Sequence, residues 1–379
     1  MNIGIVCYPT FGGSGVVATE LGKALAKKGH KIHFIAYQLP FRLNSFTENV
    51  FYHEVSVNDY PLFEYQPYES ALASKIVDVA MYEKLDILHV HYAIPHASVA
   101  YMAQQILKSK KIQLPYITTL HGTDITLVGR DPSFEPVIRF SLNNSNAITS
   151  VSENLKKDTL SIFKIDNKVD VIPNFINIEE YKNIKGNCQR HSYARDNEKI
   201  MIHVSNFRKV KRVEDVLQVF DKVRKEIPTK LILVGDGPER PAIEKLCREL
   251  DTCKDIISLG RINNPSEVLG VGDLFILPSE TESFGLAALE AMATRLPVIS
   301  TNTGGLPEVN VQGVTGFLSD VGDVDDMANN AIKLLSDPSL LEKFKNNAFE
   351  QAKKFDINII LPQYEKLYNK VAKGEAVGI

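Results

Sequence analysis

Short, unbroken apolar runs recur along the chain, and several lead into stretches whose apolar residues return at three- and four-residue steps. The first pattern has the length of a buried strand and the second the period of a helix. Strands are predicted at residues 2–7, 31–36, 86–91, 116–120, 147–151 and 170–172, and then at 200–204, 230–235, 256–259, 274–277 and 297–300. Val17, Leu21, Ala24 and Leu25 mark one face of a helix that stops at Gly29, a residue suited to the left-handed end of a helix. Further helices are predicted after Ser152 as N-cap, from Glu214, after Gly285 (Leu286, Leu289, Ala293, Leu296) and over residues 359–371. This α/β order predicts two domains. The first is placed at residues 1–172 and the second at 173–358. The polar stretch 176–198 joins them, and a C-terminal helix at 359–379 crosses back to the first.

Composition narrows the class. A chain of 379 residues has room for two domains, and 44% hydrophobic with 23% charged residues is a globular balance. A net charge of -3 gives no reason to expect nucleic acid or an anionic membrane as partner. No apolar run approaches the ~20 residues of a membrane span. The opening MNIGIVCYPT has no basic segment of a signal peptide, so a cytoplasmic location is expected. Cys7, Cys188, Cys247 and Cys253 show no CxxC spacing, which favours four free thiols over a disulfide framework. A homo-oligomer is left open.

The densest candidate chemistry lies in LFILPSETESFGLAALEAMATRLPVIST. Glu282 follows a strand, at the edge where open α/β sheets bind ligands. Glu290 stands eight residues on, a helical rise of ~12 Å, which suits two ends of one long ligand better than one metal ion. The N–H groups of Phe284 to Leu286 open the helix and offer an anion seat. Two further turns follow strands. YPTFGGSG places Gly12, Gly13 and Ser14 where a backbone can approach a phosphate. It is not GxGxxG and no acid ends the next strand, so no dinucleotide cofactor is expected. SNFRKVKR is basic, and Arg208 with Lys211 can clamp a diphosphate. Gly260, Arg261 and Ile262 stand at another strand end, and His121 directly follows a strand beside Gly122. His89 and His91 share a strand face, with His96 nearby. No acid or cysteine cluster joins them, so no metal is expected. Asp323 and Asp325 precede a helix and read as capping acids.

Glu-x7-Glu with Phe and Gly after the first glutamate resembles the retaining glycosyltransferases of family 4. The resemblance extends over essentially the whole chain. It implies the GT-B fold, two Rossmann-like domains facing across a cleft. It also implies a donor site of Gly13, Arg208, Lys211, Arg261, Ile262, Glu282, Ser283, Phe284, Gly285, Leu286 and Glu290. There Glu282 faces the donor sugar, Glu290 holds the nucleotide ribose, and the strand end at Arg261–Ile262 reads the base through backbone atoms. The family usually carries Gly-Arg and then Lys five residues on. Here Ser205-Asn206 stand in the Gly-Arg place and Lys211 keeps its spacing, which leaves Arg208 and Arg212 as alternatives for the arginine. Arg295 stands where family members often have Gly.

CYPTFGGSGVVATELG, LPFRLN, HVHYAIPHA, TTLHGTDIT and VSNFRKVKR together resemble the bacillithiol-forming branch, which moves GlcNAc from UDP-GlcNAc to L-malate with retention. The implied acceptor partners are Ser14, Tyr92, Thr119, His121, Asn206 and Arg208, and the implied catalytic set is Glu282, His121, Arg208 and Lys211. The resemblance implies neither a protein nucleophile nor a cofactor or metal. Two alternatives stay open: a family-4 transferase with a sugar or lipid acceptor, and a UDP-GlcNAc 2-epimerase of the same architecture.

Overall fold

The computed structural model describes the chain except residues 11, 44–45, 58–63, 183, 185–189 and 376–379. Phe11, Asn44, Cys188 and the end of the C-terminal segment therefore lie outside the described residues. Two compact units result: Met1–Asn174 with Ile357–Ile379, and Phe175–Asp356.

The first unit holds seven strands: β1 (Asn2–Val6), β2 (Lys31–Ala36), β3 (Val50–Glu54), β4 (Ile87–His91), β5 (Tyr116–Leu120), β6 (Ala147–Ser150) and β7 (Val169–Val171). Their order is β3-β2-β1-β4-β5-β6-β7, and every ladder is parallel. A parallel sheet is covered on both faces, which is why its strands read as unbroken apolar runs. On one face, α2 (Tyr68–Tyr82) and α3 (Ser98–Ser109) bury Leu72, Ile76, Ala103 and Leu107 against Val6, Ile35, Leu88 and Val90. On the other lie α1 (Gly13–Lys27) and the helix Ile357–Ala372, which contacts α1 and β4 within this unit. Also in this unit are α4 (Glu135–Asn143) and α5 (Glu153–Ile162). Ser152 caps α5 through Leu155 N–H at 3.0 Å. β3 is an edge strand, and only Val55 just beyond it is buried, so its apolar pattern is too weak to announce it.

The second unit holds β8 (Lys199–Val204), β9 (Thr229–Val234), β10 (Ile256–Gly260), β11 (Leu274–Leu277), β12 (Val298–Thr301) and β13 (Gly316–Ser319), in the all-parallel order β10-β9-β8-β11-β12-β13. Met201, Leu231, Leu233, Leu274 and Ile276 form its core with Val216, Phe220, Val223 and Leu334. In each sheet the strand order reverses beside the first strand, between β1 and β4 and between β8 and β11. The crevice outside the carboxyl ends at such a switch point is where doubly wound sheets bind ligands.

Several expectations change. The glycine turn is shorter than its sequence suggests, because α1 already begins at Gly13. Cys247 and Cys253 are joined by a disulfide rather than free. The helix Arg240–Glu249 ends and the chain reverses through Asp251 (φ 50°), bringing the two Cα atoms to 5.2 Å. Cys7 is free and buried. Asp323 caps the helix Val324–Ser336, accepting from Asp326 N–H at 2.9 Å, and Asp325 pairs with Lys222 at 2.8 Å. Among the described residues no helix is long and apolar enough to cross a membrane.

Candidate functional site

In the first unit the switch point brings the end of β1 beside the end of β4. Gly12 is the N-cap of α1, and the exposed Gly13 opens the helix. A side chain at Gly15 would meet Tyr8 and Thr10 carbonyl oxygens within 2.7 Å, so the turn closes tightly only with glycine there. Ser14 Oγ lies 2.7 Å from Tyr92 Oη, joining two of the residues expected at the acceptor side. Tyr92 itself has φ 87° and packs its ring 5.3 Å from that of His121. Behind them lies a histidine stack. His91 Nδ1 is 2.8 Å from His121 Nε2, and His89 stacks on His91 at 4.4 Å. His96 donates from Nδ1 to the His91 carbonyl at 2.5 Å. Burial pushes His121 down to about 3 and His96 to about 4, so both imidazoles are neutral near pH 7.

Thr119 is placed differently from its expected role. It is fully buried, with its hydroxyl between His89 Nε2 (2.7 Å) and Thr149 Oγ1 (2.6 Å). It supports the stack from below rather than facing a ligand. Asp124 is a site feature that sequence reading missed. It accepts from Ala93 N–H at 2.8 Å and Gly122 N–H at 3.1 Å, tying the loop after β4 to the loop after β5. Burial lifts its carboxyl to about 6. The motif HGTD contains this aspartate, but nothing local marks it as the tie between two loops.

In the second unit the basic turn after β8 and the acidic loop after β11 are hydrogen-bonded neighbours, with Glu280 N–H donating to Val210 O at 2.8 Å. Lys211 Nζ and Glu282 Oε1 form an ion pair, and Ser279 Oγ donates to the same oxygen at 3.2 Å. Lys211 and Glu282, expected to face phosphate and sugar separately, thus meet each other. Arg212 lies at φ 47° and holds Asp215 through Nε–Oδ2 at 2.6 Å. Arg208 is exposed, and of the two arginines it is Arg212 whose side chain is tied to Asp215. Asn206 is exposed beside Arg208, and Arg261 is exposed with Ile262 part-buried at the end of β10.

The acidic loop is rigidly backed. Phe284 is buried and packs edge-on against Phe355 at 5.5 Å. Gly285 adopts φ 95° to open the helix Leu286–Ala293, whose Glu290 is buried. The glycines of the stretch Asn302-Thr303-Gly304-Gly305 (NTGG), which follows β12, pack on the loop itself. Gly305 N–H donates to Glu282 O at 2.8 Å, and a Cβ on Gly304 would lie 1.9 Å from that oxygen. Between β8 and β11, His203 Nδ1 donates to Ile276 O at 2.9 Å, so its Nε2 accepts from Ser205 Oγ at 2.7 Å. Arg295 sits at φ 67°, a conformation that favours glycine. Its guanidinium reaches Asn346 and Glu342 and lies over the Phe349 ring.

Residues 11–180 match the family model described as Glycosyltransferase Family 4, and residues 187–351 match that described as Glycosyl transferases group 1. The chain is 47% identical over 383 aligned residues to N-acetyl-alpha-D-glucosaminyl L-malate synthase of Bacillus anthracis, covering 100% of this chain and 99% of that one. Among solved structures it is similar to sucrose-phosphate synthase of Thermosynechococcus elongatus (TM-score 0.83, 19% identity, covering 99% of this chain and 100% of that one). It is also similar to HepE of Anabaena in complex with UDP and glucose (TM-score 0.82, 19% identity, covering 97% and 99%). At such identities the last two speak for the fold.

Proposed function

The chain belongs to the family 4 glycosyltransferases of GT-B fold, and from that premise we propose that it transfers GlcNAc from UDP-GlcNAc to the hydroxyl of L-malate with retention. The observation that carries this reading is the end-to-end 47% identity to the Bacillus anthracis synthase. The switch-point geometry supports it by gathering cations and an acid at one sheet edge of the second unit.

The donor roles fall to that edge. Arg208 and Lys211 neutralise charge developing on the departing diphosphate, a stabilisation that rises as the sugar–oxygen bond breaks. When Lys211 turns to phosphate, Glu282 is released to accept hydrogen bonds from sugar hydroxyls. Glu290 accepts from the ribose. No protein nucleophile takes part. The malate hydroxyl attacks the anomeric carbon on the face that UDP leaves, and its proton passes to the departing phosphate oxygen. Ser14, Tyr92 and His121 are the acceptor-side groups of the first unit. Transfer needs no metal, because the basic turn supplies the countercharge, and the cytoplasm is the proposed location.

The test is mass analysis of products from UDP-GlcNAc with L-malate, lactate, glycerol and monosaccharides, with and without EDTA. A site that pairs a carboxylate rejects analogues lacking it, since its own polar groups are left unpaired. L-malate is expected to be used far better than glycerol, equally with EDTA. A faster reaction with a monosaccharide or lipid overturns the acceptor. Processing of UDP-GlcNAc without any acceptor points to an isomerase, and loss in EDTA restored by Mg²⁺ overturns metal independence.

A further inference from the structure

We propose that His33, His53 and Glu83 form a binding site for a divalent transition-metal ion, zinc above all. One ligand atom from each lies within 4.8 Å of the others. His33 Nδ1 and His53 Nε2 are 3.0 Å apart, close to the ~3.3 Å between two nitrogens around a tetrahedral zinc with bonds of about 2.0–2.1 Å. Two imidazoles and a carboxylate are a zinc ligand set that leaves a fourth position for water. The site is partly preformed. His33 is 1% exposed and stacks on Phe51 at 4.9 Å. Glu83 is exposed, and rotation about its own bonds can bring the carboxylate in. Burial, and then His53, lowers His33 to about 4, so the imidazole is neutral near pH 7, as a ligand must be. Lys31 and Lys75 are the opposing cations in electrostatic reach.

This cluster is separate from the histidine stack. His33 shares a face of β2 with Ile35, which packs in the α2–α3 layer, whereas His89 and His91 alternate with Leu88 and Val90 of that layer and face the other way. Glu83 follows α2 and precedes β4, at the amino end of the sheet. A cation here would link the edge strand β3 to β2 and to the end of α2. Any ligand that binds only the folded chain stabilises it.

The whole chain, stripped with chelator, is titrated with Zn²⁺ alone by calorimetry and melted with and without it, with Co²⁺ absorption reporting geometry. Wild type is expected to bind one zinc at this site, raise its Tm and show tetrahedral Co²⁺ bands. His33 is buried and its loss risks misfolding, so the variants are His53→Ala and Glu83→Gln, each checked for a wild-type metal-free Tm. Each is expected to weaken zinc by roughly tenfold or more, at least the effect of losing a supporting residue, and to lose the Tm rise. No saturable binding by wild type overturns the proposal, as does undiminished affinity in either variant.

Discussion

Lys211 and Glu282 stand 71 positions apart in sequence and form an ion pair at the switch point of the second sheet, with side chains 19% and 14% exposed. Each is the other's partner before any ligand arrives. A diphosphate that takes Lys211 frees Glu282 at the same moment, so donor binding itself would prepare the acid for the sugar.

Glu282→Ala is therefore expected to lower kcat by roughly 10- to 100-fold, the effect of losing a hydrogen bond to a charged group, ~1.5–3 kcal/mol. UDP affinity should change less, because Lys211 loses a competitor for phosphate. Lys211→Ala should weaken UDP and turnover together. Calorimetry with UDP beside steady-state rates checks the split; a larger loss of UDP affinity in Glu282→Ala than in Lys211→Ala contradicts it.

Glu290 is buried on the helix that Gly285 opens. Glu290→Ala is expected to weaken UDP by ~1–3 kcal/mol. The same titration with uridine should show the same loss, since the proposed contact is to ribose. Unchanged affinity for both removes Glu290 from the nucleotide.

The two arginines should separate by phenotype. Arg212 is committed to Asp215, so Arg212→Ala should lower Tm and leave UDP affinity near wild type. Arg208 is exposed, so Arg208→Ala should leave Tm unchanged and cut turnover. Its UDP affinity should also lose part of its salt dependence, because one of two screened Coulomb contacts is gone. The reverse pattern would hand the phosphate role to Arg212.

Stability should fall with acid through buried imidazoles. Burial lowers His203 and His96 to about 4 and His89 to about 3. Unfolded, each takes a proton near pH 6.5, so between about 6.5 and these values the unfolded chain binds more protons and stability drops as pH falls. Each contributes a slope of up to ~1.4 kcal/mol per pH unit. His203→Asn should flatten the Tm–pH curve between pH 6 and 4.5, measured against wild type; an unchanged slope shows that His203 is protonated in the native state.

Much was legible in the sequence because its causes are local. Unbroken apolar runs such as 274–277 report strands buried on both faces, and helix starts at Ser152 and Asp323 report side chains that cap their own next turn. Glu282 and the basic turn stood out as candidate chemistry because each follows a strand, and Glu290 because it stands eight residues beyond Glu282 on the helix that follows. What only the tertiary structure decided are relations between distant segments. Strand order placed β1 beside β4 and β8 beside β11, and so made two loops neighbours at each edge. It turned Thr119 inward to His89 and Thr149, set NTGG behind Glu282, and gave Arg212 to Asp215 while leaving Arg208 exposed. It also brought His33, His53 and Glu83 together from β2, β3 and the end of α2. Periodicity carries which face a residue takes; it carries nothing about which strand will lie alongside, because that is settled by packing across the whole sheet.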